Sequence, residues 1–364
     1  MTLSWIIAGG GTGGHVTPAL ALGEIIAERG ERVLFIGSEQ GLESRLVPEA
    51  GFELLALPSQ QVMGRRWLGG LAGLLGTLGQ VGRARRALRA QSADIVVSVG
   101  GFAAMPAALA ALAGSCPLVL VEPNAIPGRA NRLTARFARQ VFVGFPGAAK
   151  RLTARGPVEY LGIPLRGELV RAFADSGSRR EAGAPLHLLV FGGSQGARQI
   201  NEAMLEIAPR LAHRPVKIFH QAGAADRERV EHAYVAAGVE AEVVDFEPGM
   251  PARYQWADLA LCRAGALTVA ELALAGLPAL LIPYPFAADD HQAANAAALS
   301  EAGAGIRLGS RPLDVEELGA NLLSFIRDPG RLAPMSEAAA RLARPDAARQ
   351  IVEACAAIAE GEAA

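Results

Sequence analysis

Short apolar runs alternate with longer segments of helical period along the whole chain. Residues 3–8 form an apolar strand, and residues 9–14 are almost all glycine. Thr17 then reads as an N-cap with Pro18 at the first helical position, in a helix that Gly30 ends. A second strand at residues 32–36 completes a βαβ unit, whose right-handed crossover makes the sheet parallel. Half a chain later the same grammar returns. Residues 187–191 are an apolar strand, Gly192-Gly193-Ser194-Gln195-Gly196 is a glycine loop, and a helix begins near Ala197. Apolar runs at 95–99, 118–121, 140–143, 216–220, 242–245, 259–261 and 279–282 read as further strands between helical segments. The pattern predicts two α/β domains of similar size. Residues 161–166 read as a crossing linker, 175–185 as a polar surface loop, and 335–359 as one or two helices interrupted at Pro345.

Composition narrows the classes. The chain has 364 residues, 51% of them hydrophobic and 20% charged, which supports two sizeable cores and excludes a disordered chain. A net charge of −1 argues against nucleic acid as a main partner. Cys116, Cys262 and Cys355 lie far apart, make no zinc pattern and point to a reducing compartment. No basic n-region followed by an apolar run marks a signal peptide. The two most apolar stretches, 103–121 and 264–283, are broken by Pro106, Gly114 and Pro117 and by Glu271 and Pro278. Neither therefore reads as a membrane span.

The glycine loops carry the candidate chemistry. Gly9, Gly11 and Gly14 spell GxGxxG, and Glu39 stands near the end of the second strand. These residues alone keep a dinucleotide-dependent oxidoreductase open. His15, at a helix N-terminus, feels a positive potential that favours its neutral form, which suits a general base. The loop at 192–198 offers backbone N–H groups, the Ser194 hydroxyl and a helix end to a diphosphate. The turn Arg263-Ala264-Gly265-Ala266 precedes a helix on which Glu271 stands one turn in, where a carboxylate can accept two hydrogen bonds from a ribose diol or serve only as a helix-capping acid. There is no GxxxxGK[ST] and no Asp-x-Asp clamp, so a departing diphosphate is to be stabilised by helix ends and a few side chains, with no cofactor and no metal required. Ser194 lacks the Gly-x-Ser-x-Gly setting of a hydrolase nucleophile. Between residues 65 and 89, Trp67, Leu68, Leu71, Leu74, Leu75 and Leu78 precede a basic cluster that includes Arg85 and Arg86. That segment fits either an interfacial surface for anionic lipid or a core-facing helix with a solvated basic end.

Together these loops resemble a known family. Gly-Gly-Gly-Thr-Gly-Gly-His-Val-Thr-Pro-Ala-Leu (9–20), Gly-Gly-Ser-Gln-Gly-Ala-Arg (192–198), Ala-Leu-Thr-Val-Ala-Glu (266–271) and His-Gln-Ala-Ala-Asn-Ala (291–296) are similar, in order, to the MurG family of peptidoglycan UDP-N-acetylglucosamine transferases. The resemblance implies a GT-B fold: two Rossmann-like parallel-sheet domains facing an interdomain cleft. Residues 1–162 would hold the acceptor and the membrane, residues 163–340 the UDP-sugar, and residues 341–364 would return to the first domain. It implies UDP-N-acetylglucosamine as donor, an undecaprenyl-linked muramyl-pentapeptide as acceptor, and an anionic membrane surface at the cytoplasmic face as the place of work. A different lipid or natural-product acceptor is the alternative. Residue by residue, it implies His15 as base. Thr12, Gly13, Gly14, Asn124, Arg166, Ser194, Glu271, Gln292 and Asn295 would bind the substrates. The chain departs from the family's usual His-Glu-Gln-Asn at Val121-Glu122-Pro123-Asn124, and from its Gly-Gly-Tyr-x-Ser at Gly100-Gly101-Phe102-Ala103-Ala104.

Overall fold

The computed structural model describes residues 2–58, 70–114, 116–174, 184–193 and 196–361; side chains of the 70–90 helix are described from residue 79 onward. The chain divides into two compact units, Met1–Gly167 with Arg344–Ala364, and Glu168–Ala343. Each is a parallel sheet with helices on both faces.

In the first unit seven strands run β1 (Ser4–Gly9), β2 (Arg32–Ser38), β3 (Glu53–Leu57), β4 (Ile95–Gly100), β5 (Leu118–Glu122), β6 (Gln140–Val143) and β7 (Val158–Tyr160), in the order β3-β2-β1-β4-β5-β6-β7. In the second, β8 (Leu186–Phe191), β9 (Val216–Gln221), β10 (Glu240–Val244), β11 (Leu259–Cys262), β12 (Ala279–Leu281) and β13 (Gly305–Arg307) lie in the order β10-β9-β8-β11-β12-β13. Both orders reverse beside the first strand of the unit. In open parallel sheets, the carboxyl ends at that reversal are where ligands bind. In the first sheet the reversal carries an irregularity. Ile7 pairs with Val97 in regular register, which then shifts so that Gly9 faces Gly100.

The central strands are apolar throughout because both faces are covered. On β1, Trp5 and Ile7 face one core with Val16 and Leu20 of the helix Gly13–Glu28 and with Ile351, Val352 and Cys355 of the last helix, Ala347–Glu360. Ile6 and Ala8 face the other, with Ala84, Leu88 and the alanines of the helix Met105–Gly114. The break near Pro345 separates two helices of different allegiance. Leu332–Leu342 packs on the helix Ala266–Ala275 of the second unit, and Ala347–Glu360 packs on Gly13–Glu28 of the first.

One expected boundary is corrected. The first helix begins at Gly13, not at Pro18, because Thr12 takes the extended N-cap conformation and its carbonyl accepts from the His15 and Val16 amides (3.0 and 3.1 Å). Pro18 therefore sits inside the helix, where it withholds one backbone bond. The helix Gly70–Ala90 forms as a continuous element, and from residue 79 onward it is core-facing. Ala84 and Leu88 are buried, Val81 and Ala87 pack beside them, Arg86 is exposed and Arg85 is half-buried. Trp67 and Leu68 lie outside the described residues, as do the side chains of Leu71, Leu74, Leu75 and Leu78 and most of the polar loop at 175–185. Among the described residues no helix is long and apolar enough to cross a membrane.

Candidate functional site at the strand ends

At the reversal of the first sheet, β1 ends in the glycine loop and β4 ends in Gly100-Gly101-Phe102. His15 stands in the first turn of its helix, half-buried, with Nδ1 3.1 Å from the Thr12 hydroxyl. Gly101 packs so closely on this turn that a Cβ there would press on the Gly10 carbonyl and lie 3.6 Å from His15 Nδ1. Phe102 follows, 70% exposed. Thr12, Gly13 and Gly14 are thus gathered with His15 at one strand end.

Glu39 is exposed, and its amide bonds the Leu57 carbonyl. The acid that meets the glycine loop is Glu43, which the sequence did not single out. Its carboxylate is 1% exposed and accepts from the Gly11 and Ser38 amides, both at 2.8 Å. A loop amide already given to a carboxylate is withdrawn from any nucleotide phosphate, which tells against the dinucleotide reading.

Two strands away, β5 ends in another buried acid. Glu122 accepts from the amides of Asn124 and Gly128 (2.9 and 2.8 Å) and from the side-chain amides of Asn124 and Asn131 (3.3 and 3.0 Å). Burial pushes its carboxyl above the usual range, and these donors pull it back. Asn124 is therefore oriented by Glu122. Arg166 pairs with Glu24 of the Gly13–Glu28 helix at 2.6 Å, and the same carboxylate takes the Gly167 amide at 3.0 Å.

The second unit repeats the arrangement with other chemistry. After β8, the Gly193 carbonyl accepts from Gln221 Nε2 (2.7 Å), while Gln221 Oε1 accepts from the Glu247 amide (3.1 Å). Ser194 lies outside the described residues. After β11, the helix Ala266–Ala275 starts from an extended Gly265. On it, the Glu271 carboxylate accepts from the Tyr254 hydroxyl at 2.7 Å. Glu271 is half-buried, and burial of its carboxyl raises it from its usual value to about 7, against the opposing pull of that hydrogen bond. Gln292 Oε1 accepts from the Tyr284 amide (2.8 Å). Asn295 is fully buried and donates to the Ala264 carbonyl (3.1 Å), so it braces the turn ahead of Glu271. Glu122 had a sequence signal, as the polar residue that ends the apolar strand β5. Gln221 ends β9, which also carries Lys217 and His220, so it stood out less. Glu43 and Tyr254 had none.

Residues 5–143 match the model of the glycosyltransferase family 28 N-terminal domain, and residues 187–351 that of the family 28 C-terminal domain. The chain belongs to glycosyltransferase family 28. Its relatives in the family include the UDP-N-acetylglucosamine--N-acetylmuramyl-(pentapeptide) pyrophosphoryl-undecaprenol N-acetylglucosamine transferases of Alkalilimnicola ehrlichii and Acidithiobacillus ferrooxidans. The first is 42% identical over 98% of this chain and 99% of that protein, the second 44% identical over 98% of each. The crystal structure of Acinetobacter baumannii MurG superposes with a TM-score of 0.81 at 29% identity, covering 98% of this chain and 99% of that one. The family 28 enzyme is thus an α/β protein of GT-B architecture, with a parallel Rossmann-like sheet in each unit.

Proposed function

We propose that this enzyme transfers N-acetylglucosamine from UDP-N-acetylglucosamine to the 4-hydroxyl of undecaprenyl-linked N-acetylmuramyl-pentapeptide, with inversion, to make the lipid-linked disaccharide of peptidoglycan synthesis. The observation that carries this reading is the end-to-end likeness to transferases of that name. The donor belongs to the second unit, with its diphosphate on the 192–198 loop, its ribose on Glu271 and its sugar near Gln292. The acceptor belongs to the first. His15 Nδ1 lies 3.1 Å from the Thr12 hydroxyl, and in the tautomer that donates Nδ1–H to that oxygen, Nε2 presents the lone pair that takes the acceptor proton. The new bond forms between the acceptor oxygen and the anomeric carbon as the bond to UDP breaks, with oxocarbenium-like character between.

On this reading the acceptor's lipid puts the work at a membrane surface, taken to be the cytoplasmic face, with the enzyme held peripherally. A surface of the first unit fits that role. Leu133 and Phe137 are each 52% exposed, and Arg129, Arg132 and Arg136 are exposed beside them at helical spacing. Apolar side chains ringed by arginines suit an anionic bilayer interface.

The test is UDP release from UDP-N-acetylglucosamine with and without a soluble lipid-linked muramyl-pentapeptide analogue, for wild type and His15→Ala. Acceptor-dependent release, cut about 10²–10⁴-fold in the variant, is the expected result. Release with a different lipid acceptor alone would keep the donor and overturn the acceptor.

A further inference from the structure

We propose that Glu43 is a positioning residue for the transfer: its carboxylate occupies the anion slot of the first glycine loop and thereby sets the turn that carries His15. The inference rests on the transferase reading of His15 given above.

Three observations converge on this carboxylate. It is buried, and it takes the amides of Gly11, in the loop, and of Ser38, at the end of β2. Gly10, Gly37 and Gly41 surround it, and a Cβ on any of the three would overlap the carboxyl or its Cγ. Side chains are thus missing on three separate segments where this one group needs the space. The Gly10 peptide is in turn held between Glu43 on one side and the close approach of Gly101 on the other. From Gly11 the restraint passes through one peptide to Thr12, whose carbonyl accepts the His15 amide and whose hydroxyl engages His15 Nδ1.

The chemistry of the slot explains why the residue is an acid. A turn of consecutive glycines before a helix presents N–H groups that attract an anion. In this loop a carboxylate of the chain itself supplies that anion for Gly11. The turn is therefore fixed before any substrate arrives, and a displaced base is costly: an error of about 1 Å in a reacting group can cost roughly 100-fold in rate.

The full-length enzyme would be compared as wild type, Glu43→Gln, Gly41→Ala, His15→Ala and the double variant Glu43→Gln/His15→Ala. Glu43→Gln keeps the volume and turns an NH₂ toward one of the two amides. Gly41→Ala keeps the charge and displaces it. Expected are a kcat about 10–100-fold lower in both, an unchanged Kd for UDP-N-acetylglucosamine, and a double variant no slower than His15→Ala, because both changes act through the same group. A kcat within twofold of wild type in both single variants, or additive losses in the double variant, overturns the proposal. The ¹⁵N imidazole resonances of His15, assigned by difference against His15→Ala, give a readout that needs no turnover. They should move in Glu43→Gln, and unmoved resonances overturn the proposal even if the wild type proves inactive toward this acceptor. Wild-type inactivity with shifted resonances would sink the assigned reaction while keeping the positioning.

Discussion

Glu271 is asked to do two things that oppose each other, and Glu271→Gln separates them. The substitution keeps an oxygen for the Tyr254 hydroxyl and removes the charge. In the folded protein, burial holds the Glu271 carboxyl near 7, against an ordinary 4.5. A raised carboxyl binds its proton more tightly folded than unfolded. Below about pH 4.5 it is protonated in both states and costs nothing. As pH rises toward 7 the unfolded chain ionises first and stability is lost, and above 7 the full penalty applies. At about 1.4 kcal/mol per tenfold, that penalty is roughly 3 kcal/mol at pH 8 and about 1 kcal/mol at pH 5. Glu271→Gln should therefore stabilise the second unit most at alkaline pH. At about 2–4 °C per kcal/mol, the gain in its melting temperature would be roughly 6–12 °C at pH 8 and far less at pH 5. Donor binding should go the other way. A ribose diol donating two hydrogen bonds needs the ionised carboxylate, so wild-type affinity for UDP-N-acetylglucosamine should rise about tenfold between pH 6 and pH 8. In the variant it should be weaker and flat with pH. The assays are differential scanning calorimetry and isothermal titration across that range. A variant less stable than wild type at pH 8, or a wild-type affinity indifferent to pH, refutes the reasoning.

Three further outcomes follow from the packing. Asn295→Ala strips the buried Ala264 carbonyl of its donor, which should cost about 1–3 kcal/mol in denaturant unfolding and weaken donor binding through the turn ahead of Glu271. Ile351→Ala opens a cavity between the last helix and the first sheet; a loss of roughly 2–5 kcal/mol should appear in the transition of the first unit, with donor affinity unchanged. Replacing Leu133 and Phe137 together by Ser should reduce cosedimentation with anionic vesicles while leaving turnover of a soluble acceptor intact. Equal cosedimentation would remove that surface from the membrane reading.

What could be read from the chain was set by burial. Strands β1, β4, β5, β8 and β11 are covered on both faces, so their apolar runs stand out. β3, β7 and β13 were not legible. They are edge or short strands with polar, exposed positions such as Glu53, Glu159 and Arg307, which break the run without breaking the strand. At the site, His15 and Glu271 were legible because each stands at a fixed offset from a glycine turn. Tyr254 was not. It is 17 residues from Glu271 in sequence, and only the fold of the second unit brings its hydroxyl to that carboxylate.

The two glycine loops show how far local grammar reaches. Both follow the first strand of a unit, both precede a helix, and both read as anion cradles. In the first, a carboxylate takes a loop N–H, so part of the turn's donor capacity is spent on holding its own shape. In the second, the holding group is the Gln221 amide, and it takes a loop carbonyl at Gly193. Each loop also spends an N–H on its own shape, since the Gly196 amide closes on the Gly193 carbonyl (2.9 Å), but the first is held by an acid and the second by a neutral amide, and an anionic ligand is favoured beside the neutral one. That difference supports the proposal that the diphosphate sits on the second loop and that the first carries His15. It depends on two residues, Glu43 and Gln221, that lie outside both motifs, so a match to GxGxxG alone could not separate a nucleotide cradle from a scaffold for a base.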